Sequence, residues 1–591
     1  MQEPLSFYQE QIQEHTLAKA KIKKQLMLLS MLRLAIFLSA VLGMYFLWEI
    51  TQWVTAIAVV GVATYLFLLS KHTNVKHKKN TLEALLAINE IEVAVQNRDF
   101  YTLPDGDEFK DPLHYFSHDI DLFGKGSFYQ YSNRTALKEG SALLAKFLTE
   151  NSIENIEDKQ AGILELSKHP KWRQQYTASA MLGATETSVA SILLWIKSYR
   201  TFVPKIVSYG KWIFSTISLI LIGAIYFGQV KESLLMYWLI AGLVITGIFA
   251  GKVAKLTSGT SKMRAVFQQY NQLLLLIENI DFTSSILRTK KESILSDGRK
   301  ASQVLKDFSG LLSKMDQNNN FIYMIFGNGL FLSGLGTTLK IEDWLKEHKD
   351  SVAQWFEVIA FFDAYNSLGN FTFNHPTYHF PKILEESNTA LRSEKSGHPL
   401  LDPKKTIWNS FEMENGDFFI ITGANMAGKS TFLRTVSLQI VLANVGLPVC
   451  ATSLEYTPIK LITSMRTTDS LTDDASYFFS ELKRLKFIVD EIETDRYFIV
   501  LDEILKGTNS IDKAKGSRKF VERLAASNST GIIATHDLSL CEAAKEQPQI
   551  KNYYFDAEII DDELHFDYLL KNGICQNMNA SFLLKKMKIV E

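Results

Sequence analysis

Four apolar segments, set as two closely spaced pairs, constrain this chain more than any other feature. Residues 34–48 read LAIFLSAVLGMYFLW and residues 53–70 read WVTAIAVVGVATYLFLLS, with only Glu49 to Gln52 between them. Residues 212–227 (WIFSTISLILIGAIYF) and 234–250 (LLMYWLIAGLVITGIFA) form the second pair. A helix crosses a bilayer with about 20 residues and at least about 17. The second and fourth segments meet that alone; the first needs Arg33 to snorkel, and the third needs Gly228 to Val230. Trp and Tyr lie near the ends, at interfacial depth. Lys19, Lys21, Lys23, Lys24 and Arg33 precede the first pair, and Lys71, Lys76, Lys78 and Lys79 follow it. Lys197, Arg200, Lys205 and Lys211 precede the second pair, and Lys252, Lys255, Lys262 and Arg264 follow it. The connecting loops carry almost no positive charge. The positive-inside rule therefore predicts a multi-pass membrane protein with both hairpins entered from the cytoplasm, and both termini and the soluble mass on that side. The alternative is four helices buried in one core.

At 591 residues the chain has room for roughly three to four domains. Lys plus Arg (63) against Asp plus Glu (64) leaves a net charge of −1, which excludes a globally basic nucleic-acid coat and an acidic disordered chain. Three scattered cysteines form neither a disulfide framework nor a CxxC metal site. Residues 1–30 read as a juxtamembrane helix, 31–70 as hairpin 1 and 71–112 as a helical linker. A helical region is expected over 113–375, interrupted by hairpin 2 at 212–250. Past Asn370 the texture changes to short apolar runs between turn residues, so 376–591 reads as an α/β domain.

The chemistry concentrates in that last part. The strand-like run 418–422 (FFIIT) meets Gly423, and Gly428-Lys429-Ser430 then opens a helix, which is the context of a P-loop. Backbone N–H groups of such a loop cradle phosphates at a helix N-terminus, and Gly423 and Gly428 let the backbone approach. Lys429 then reaches the β- and γ-phosphates of ATP, and the Ser430 hydroxyl ligates Mg²⁺. A second strand, YFIVL at 497–501, ends in Asp502 and Glu503, placed to hold the Mg²⁺ shell and to activate the attacking water. A third, GIIAT at 531–535, ends at His536, a sensor of the γ-phosphate. Three strand ends delivering these groups in order fit ligand binding at the carboxyl edge of a parallel sheet.

These residues resemble the ATPases of the MutS mismatch-repair family. TGANMAGKST at 422–431 resembles that family's TGPNMGGKST, and the inner Asn425-Met426 separates it from generic P-loops. DEILKGTN at 502–509 resembles DEIGRGTST, and ATH at 534–536 resembles its ATH. SYFFSE at 476–481 resembles a segment through which Ser476 would reach the partner's nucleotide in a dimer. Gly397-His398-Pro399 resembles the family's GRHP, and Ile407 and Trp408 stand where the family places residues against adenine. The likeness extends over roughly 115–591. It implies a helical core and lever region joined to an ABC-type P-loop ATPase domain, with nucleotide held by Gly423 to Thr431 and a homodimer with composite sites. Ala424 and Ala427 stand where the family has Pro and Gly, and Ala427 is expected to set a Cβ beside the phosphate cradle. No Phe-x-Glu mismatch-reading segment appears at the N-terminal end.

Three functions follow. The first is a membrane-anchored MutS-like ATPase that couples Mg-dependent ATP hydrolysis to DNA, in repair or DNA processing, with ATP its one small-molecule substrate. The second is a membrane-tethered mechanical or scaffold ATPase without DNA binding. The third, an ABC-type transporter, predicts an LSGGQ-type run before the second strand; LTDDASYFFSE at 471–481 has no glycine.

Overall fold

The computed structural model describes residues 3–183, 188–261, 263–296, 298–317, 320–385, 387–466, 477–505, 510–560 and 563–576. Two long helices open it: α1, Pro4–Phe46, and α2, Thr51–Gln96. Each unites what the sequence reading divides. Helix α1 carries the juxtamembrane stretch straight into the first apolar segment, and α2 carries the second onward through most of the expected linker. No Pro or Gly falls in 5–42 or 62–96, so nothing breaks either helix. Pro4 sits at the first turn, where its missing N–H costs nothing.

The second pair forms α3, Ile206–Tyr226, and α4, Ser233–Ser261. All four are long and apolar enough to cross a membrane, and their apolar windows are almost entirely unburied by the rest of the chain. They therefore do not form a core of their own. A short helix, α5 (Phe321–Phe331), follows and turns through 83° into α6, Ser333–Asn374. Around α6 pack Lys138–Thr149, Ile156–Ser167, Pro170–Leu182 and Ala301–Gln317, burying Trp355 and Phe362 completely.

The C-terminal part centres on a six-stranded sheet. Its strands are β1 (Phe418–Gly423), β2 (Lys460–Ser464), β3 (Tyr497–Asp502), β4 (Thr530–Ala534), β5 (Ile550–Ile560) and β6 (Glu563–Asn572), in the order β6-β5-β1-β4-β3-β2. Pairings are parallel except β5 with β6. The central β1, β4 and β3 are continuous apolar runs because helices cover both faces. Helix α7, Lys429–Val445, leaves the end of β1. A second, four-stranded sheet holds Thr389–Ser396 and Asn409–Glu414.

The helical region and the sheet share one hydrophobic core, continuous from Val95 to Phe555. Each fully buried large apolar side chain contributes roughly 1.5–3 kcal/mol, against about 0–1 kcal/mol for a surface ion pair, so burial joins the two parts. Polar staples set the register. The exposed edge of β2 is covered by the segment around Tyr115, whose carbonyl accepts the Thr463 N–H at 2.9 Å. Asp119 accepts Thr463 Oγ1 at 2.6 Å and the Arg466 N–H at 2.9 Å. The Arg484 guanidinium donates to the carbonyls of Leu113, His114, Tyr115 and Thr463.

A buried network ties α1 and α2 to the end of α6. Tyr8 donates to Asn374 Oδ1 at 2.6 Å, and the Asn374 and Asn370 amides donate to Glu92 at 2.8 and 2.9 Å. Arg134 Nε donates to the same carboxylate at 2.6 Å. A buried carboxylate is tolerated only with this degree of pairing. The first helical hairpin is thus fastened to the helix that ends just before the β-rich part.

Candidate functional site

Three strand ends meet at the carboxyl edge of the parallel sheet. β1 delivers the loop Gly423 to Gly428, and both glycines have positive φ, +148° and +107°. Neither tolerates a side chain: a Cβ on Gly423 would lie 2.6 Å from the Phe555 carbonyl oxygen, and one on Gly428 3.1 Å from Tyr568 Cδ1. Between them Asn425 and Met426 are exposed and Ala424 is half-buried. The Ala427 methyl is fully buried in the hydrophobic core. The Cβ expected beside the cradle thus packs among core side chains.

Lys429, the first residue of α7, is buried, and its Nζ donates to the carbonyls of Gly423 at 2.7 Å and Ala424 at 2.9 Å. Burial pushes its ammonium below the ordinary lysine value, against the pull of Asp502 and Glu503. The lysine is held folded across its own loop. The next residue, Ser430, donates from Oγ to Asp502 Oδ2 at 2.8 Å, so the end of β3 and the start of α7 present two oxygens together. Among the described residues no group of three or more His, Cys, Asp and Glu could cage a metal. A hydroxyl and one carboxylate suit Mg²⁺, which takes its remaining ligands from phosphate and water.

Glu503 follows at positive φ, +51°, with its N–H on the Ala534 carbonyl at 2.8 Å. That bond turns its carboxylate toward β4, where Oε1 lies 3.3 Å from His536 Nε2. Burial first, then Lys429, push His536 below the ordinary histidine value, while Glu503 and Asp502 oppose this. The lowering favours the neutral imidazole, so the contact has little ion-pair character at neutral pH. Glu481 carries a role the sequence does not display: buried on the helix Tyr477–Glu491, it accepts the Leu505 N–H and holds the turn after Glu503. Ser476 lies outside the described residues.

Beside the loop is a cavity of about 250 Å³ lined by His398, Ile407, Gly428, Thr431, Phe555 and Tyr568, among others. Ile407 and Thr431 thus stand where a base and sugar could be held next to a phosphate cradle. Trp408 does not line this cavity; it packs on Gly397, where a Cβ would lie 2.8 Å from its ring. His398 and Tyr568 are functional candidates beyond those expected. Arg98 fixes the first by donating to the carbonyls of Pro399 and Leu401, and burial pushes the His398 imidazole down to about 4. Asn409 fixes the second, donating to the Tyr568 carbonyl at 3.0 Å and accepting the Leu570 N–H at 2.7 Å. A tyrosine more than a hundred residues after the loop leaves no local signal of this contact.

Comparison with known proteins bears on the same part of the chain. Residues 419–588 match the family described as MutS domain V. Over 255 residues the chain is 28% identical to the DNA mismatch repair protein MSH4 of Arabidopsis thaliana, covering 42% of this chain and 31% of that protein. It is 27% identical over 208 residues to MutS protein homolog 4 of Homo sapiens, covering 33% and 22%. It is 31% identical over 186 residues to the DNA mismatch repair protein MutS of Aquifex pyrophilus, covering 30% and 22%. The chain thus spans less than a third of the length of these relatives. The likenesses make this chain similar to MutS proteins in part, with residues 419–588 resembling their domain V.

Proposed function

We propose that this chain is a membrane-anchored MutS-like ATPase that binds and hydrolyses ATP with Mg²⁺ in a dimeric site and couples the cycle to DNA. The observation that carries the reading is the convergence of Lys429, Ser430, Asp502, Glu503 and His536 at one sheet edge. Lys429 leaves its two carbonyls to neutralise the β- and γ-phosphates, and loop N–H groups take the remaining phosphate oxygens. Ser430 and Asp502 would hold Mg²⁺, and the ion would supply positive charge beside the γ-phosphoryl group. Glu503, oriented by His536, accepts a proton from the attacking water as its oxygen bonds to the γ-phosphorus and the bond to the leaving ADP oxygen breaks. In the dimer Ser476 of each subunit faces the other's nucleotide. The four apolar helices anchor the chain as two hairpins, with both termini and the ATPase domain cytoplasmic. The Tyr8–Asn374–Glu92 network then gives ATP-driven motion a rigid path to the first hairpin.

The DNA part is tested on the detergent-solubilised full chain with ATP, using homoduplex, mismatched and branched DNA. Affinity should fall steeply with rising salt, as counterion release demands. No affinity even at low salt removes DNA from the proposal and leaves a membrane-tethered mechanical ATPase.

The lowered His536 sets a pH profile. Its neutral form supports Glu503, so phosphate release should hold steady from pH 8 down to about 6.5 and fall only below the ordinary histidine range. In His536→Asn the midpoint of that acid loss should move. An unchanged profile would separate His536 from the reaction.

A further inference from the structure

We infer that α5 is a re-entrant membrane element, which enters the bilayer beside the α3–α4 hairpin and returns to the same side along the start of α6. This rests on the membrane reading above and extends it to a segment too short to cross. With 11 residues, α5 is about 16 Å long, half of a hydrocarbon core about 30 Å thick. The 83° bend at Leu332 then sends the chain away from the helix direction.

Depth comes from the packing partner. Gly329 of α5 lies against Gly242 of α4 backbone to backbone: a Cβ on Gly242 would sit 2.1 Å from the Gly329 carbonyl oxygen. Gly242 stands eight residues from either end of the apolar run 234–250. The tip of α5 therefore meets α4 at the middle of its span. No charged residue occurs from 317 to 339, and α5 turns Phe321, Ile322 and Phe326 outward, 70%, 68% and 54% exposed. In water that face would be an apolar patch without cover; beside α4 it continues the surface that faces lipid.

The break between α5 and α6 is built as lipid requires. Backbone groups freed within hydrocarbon must be satisfied inside the protein. Ser218 of α3 donates to the Leu330 carbonyl at 2.6 Å and itself accepts Trp238 Nε1 at 2.9 Å. The Asn328 side-chain oxygen accepts the Gly334 N–H at 2.7 Å, and Ser215 reaches the Phe331 carbonyl at 3.5 Å. Leu332 holds the corner at φ +46°. One turn later Gly336 packs on Lys211, where a Cβ would lie 2.3 Å from Nζ. Lys340, eight residues past the corner and so about 12 Å along α6, is the first charge after the uncharged stretch and marks the headgroup level to which the chain returns.

The test uses the full chain reconstituted in phosphatidylcholine–phosphatidylglycerol vesicles, with a nitroxide at Phe326→Cys, Ile322→Cys, Val244→Cys or Lys349→Cys in turn. The unsubstituted chain, whose three cysteines are buried, is the blank. Val244 reports the α4 span and Lys349 the aqueous part of α6. Collision with oxygen relative to a polar nickel chelate should be as high at Phe326 and Ile322 as at Val244. It should exceed that at Lys349 by about tenfold or more, since a polar chelate partitions poorly into hydrocarbon. If Phe326 and Ile322 resemble Lys349 while Val244 reports lipid, the re-entrant element is refuted and the membrane reading stands. If Val244 also reports water, both fall.

Discussion

Lys429→Ala loses ATP. The ammonium is the one buried cation within the loop, already desolvated and parked on the Gly423 and Ala424 carbonyls. Its transfer to phosphate trades two neutral acceptors for anionic ones. Charge-assisted hydrogen bonds contribute about 1.5–3 kcal/mol each, so losing contacts to two phosphates costs about 3–6 kcal/mol. That corresponds to a dissociation constant roughly 10²–10⁴-fold weaker. Titration of a fluorescent ATP analogue with Mg²⁺ measures it, with circular dichroism to verify that α7 still forms. Tight binding retained by the variant would overturn the assignment of this loop to phosphate.

Glu503→Gln separates binding from turnover. The glutamine keeps the shape, the Ala534 backbone bond and the place beside His536, but its amide cannot take up a proton from water. Turnover should fall by about 10²–10⁴-fold, the usual worth of a positioned general base. ATP affinity should stay within about twofold, because the phosphate contacts belong to Lys429 and the loop. With hydrolysis blocked, the ATP-bound dimer should accumulate and be visible by light scattering in detergent. Unchanged turnover would remove Glu503 from the catalytic role, and a monomer with ATP bound would refute the composite site.

The local features were legible because local forces make them. Apolar run length is itself the criterion for a spanning helix, so the four segments could be read directly and became α1 to α4. The strand–loop–helix unit at 418–445 could be read because an apolar strand, two glycines and a lysine at fixed spacing leave the backbone few alternatives. Asp502 and His536 follow from the same logic, each at the end of a short apolar run. Helix α5 escaped notice for the same reason: at 11 residues it is too short for the length criterion, and only its contact with Gly242 reveals its depth.

Sequence by itself therefore determined which segments are long apolar helices, where a glycine-rich loop runs from a strand into a helix, and which acids and histidine stand at the neighbouring strand ends. Tertiary structure alone decided how they are used. It turned the Ala427 methyl into the core, drew Ile407 and Tyr568 but not Trp408 around one cavity, and set Glu503 on His536 through a bond to Ala534. It also merged the helical region and the sheet into one core and fastened Tyr8 to Asn374. The physical reason is range. Periodicity and turn chemistry act over a few residues, whereas these contacts join positions from about 30 to more than 360 residues apart and form only when the whole core closes.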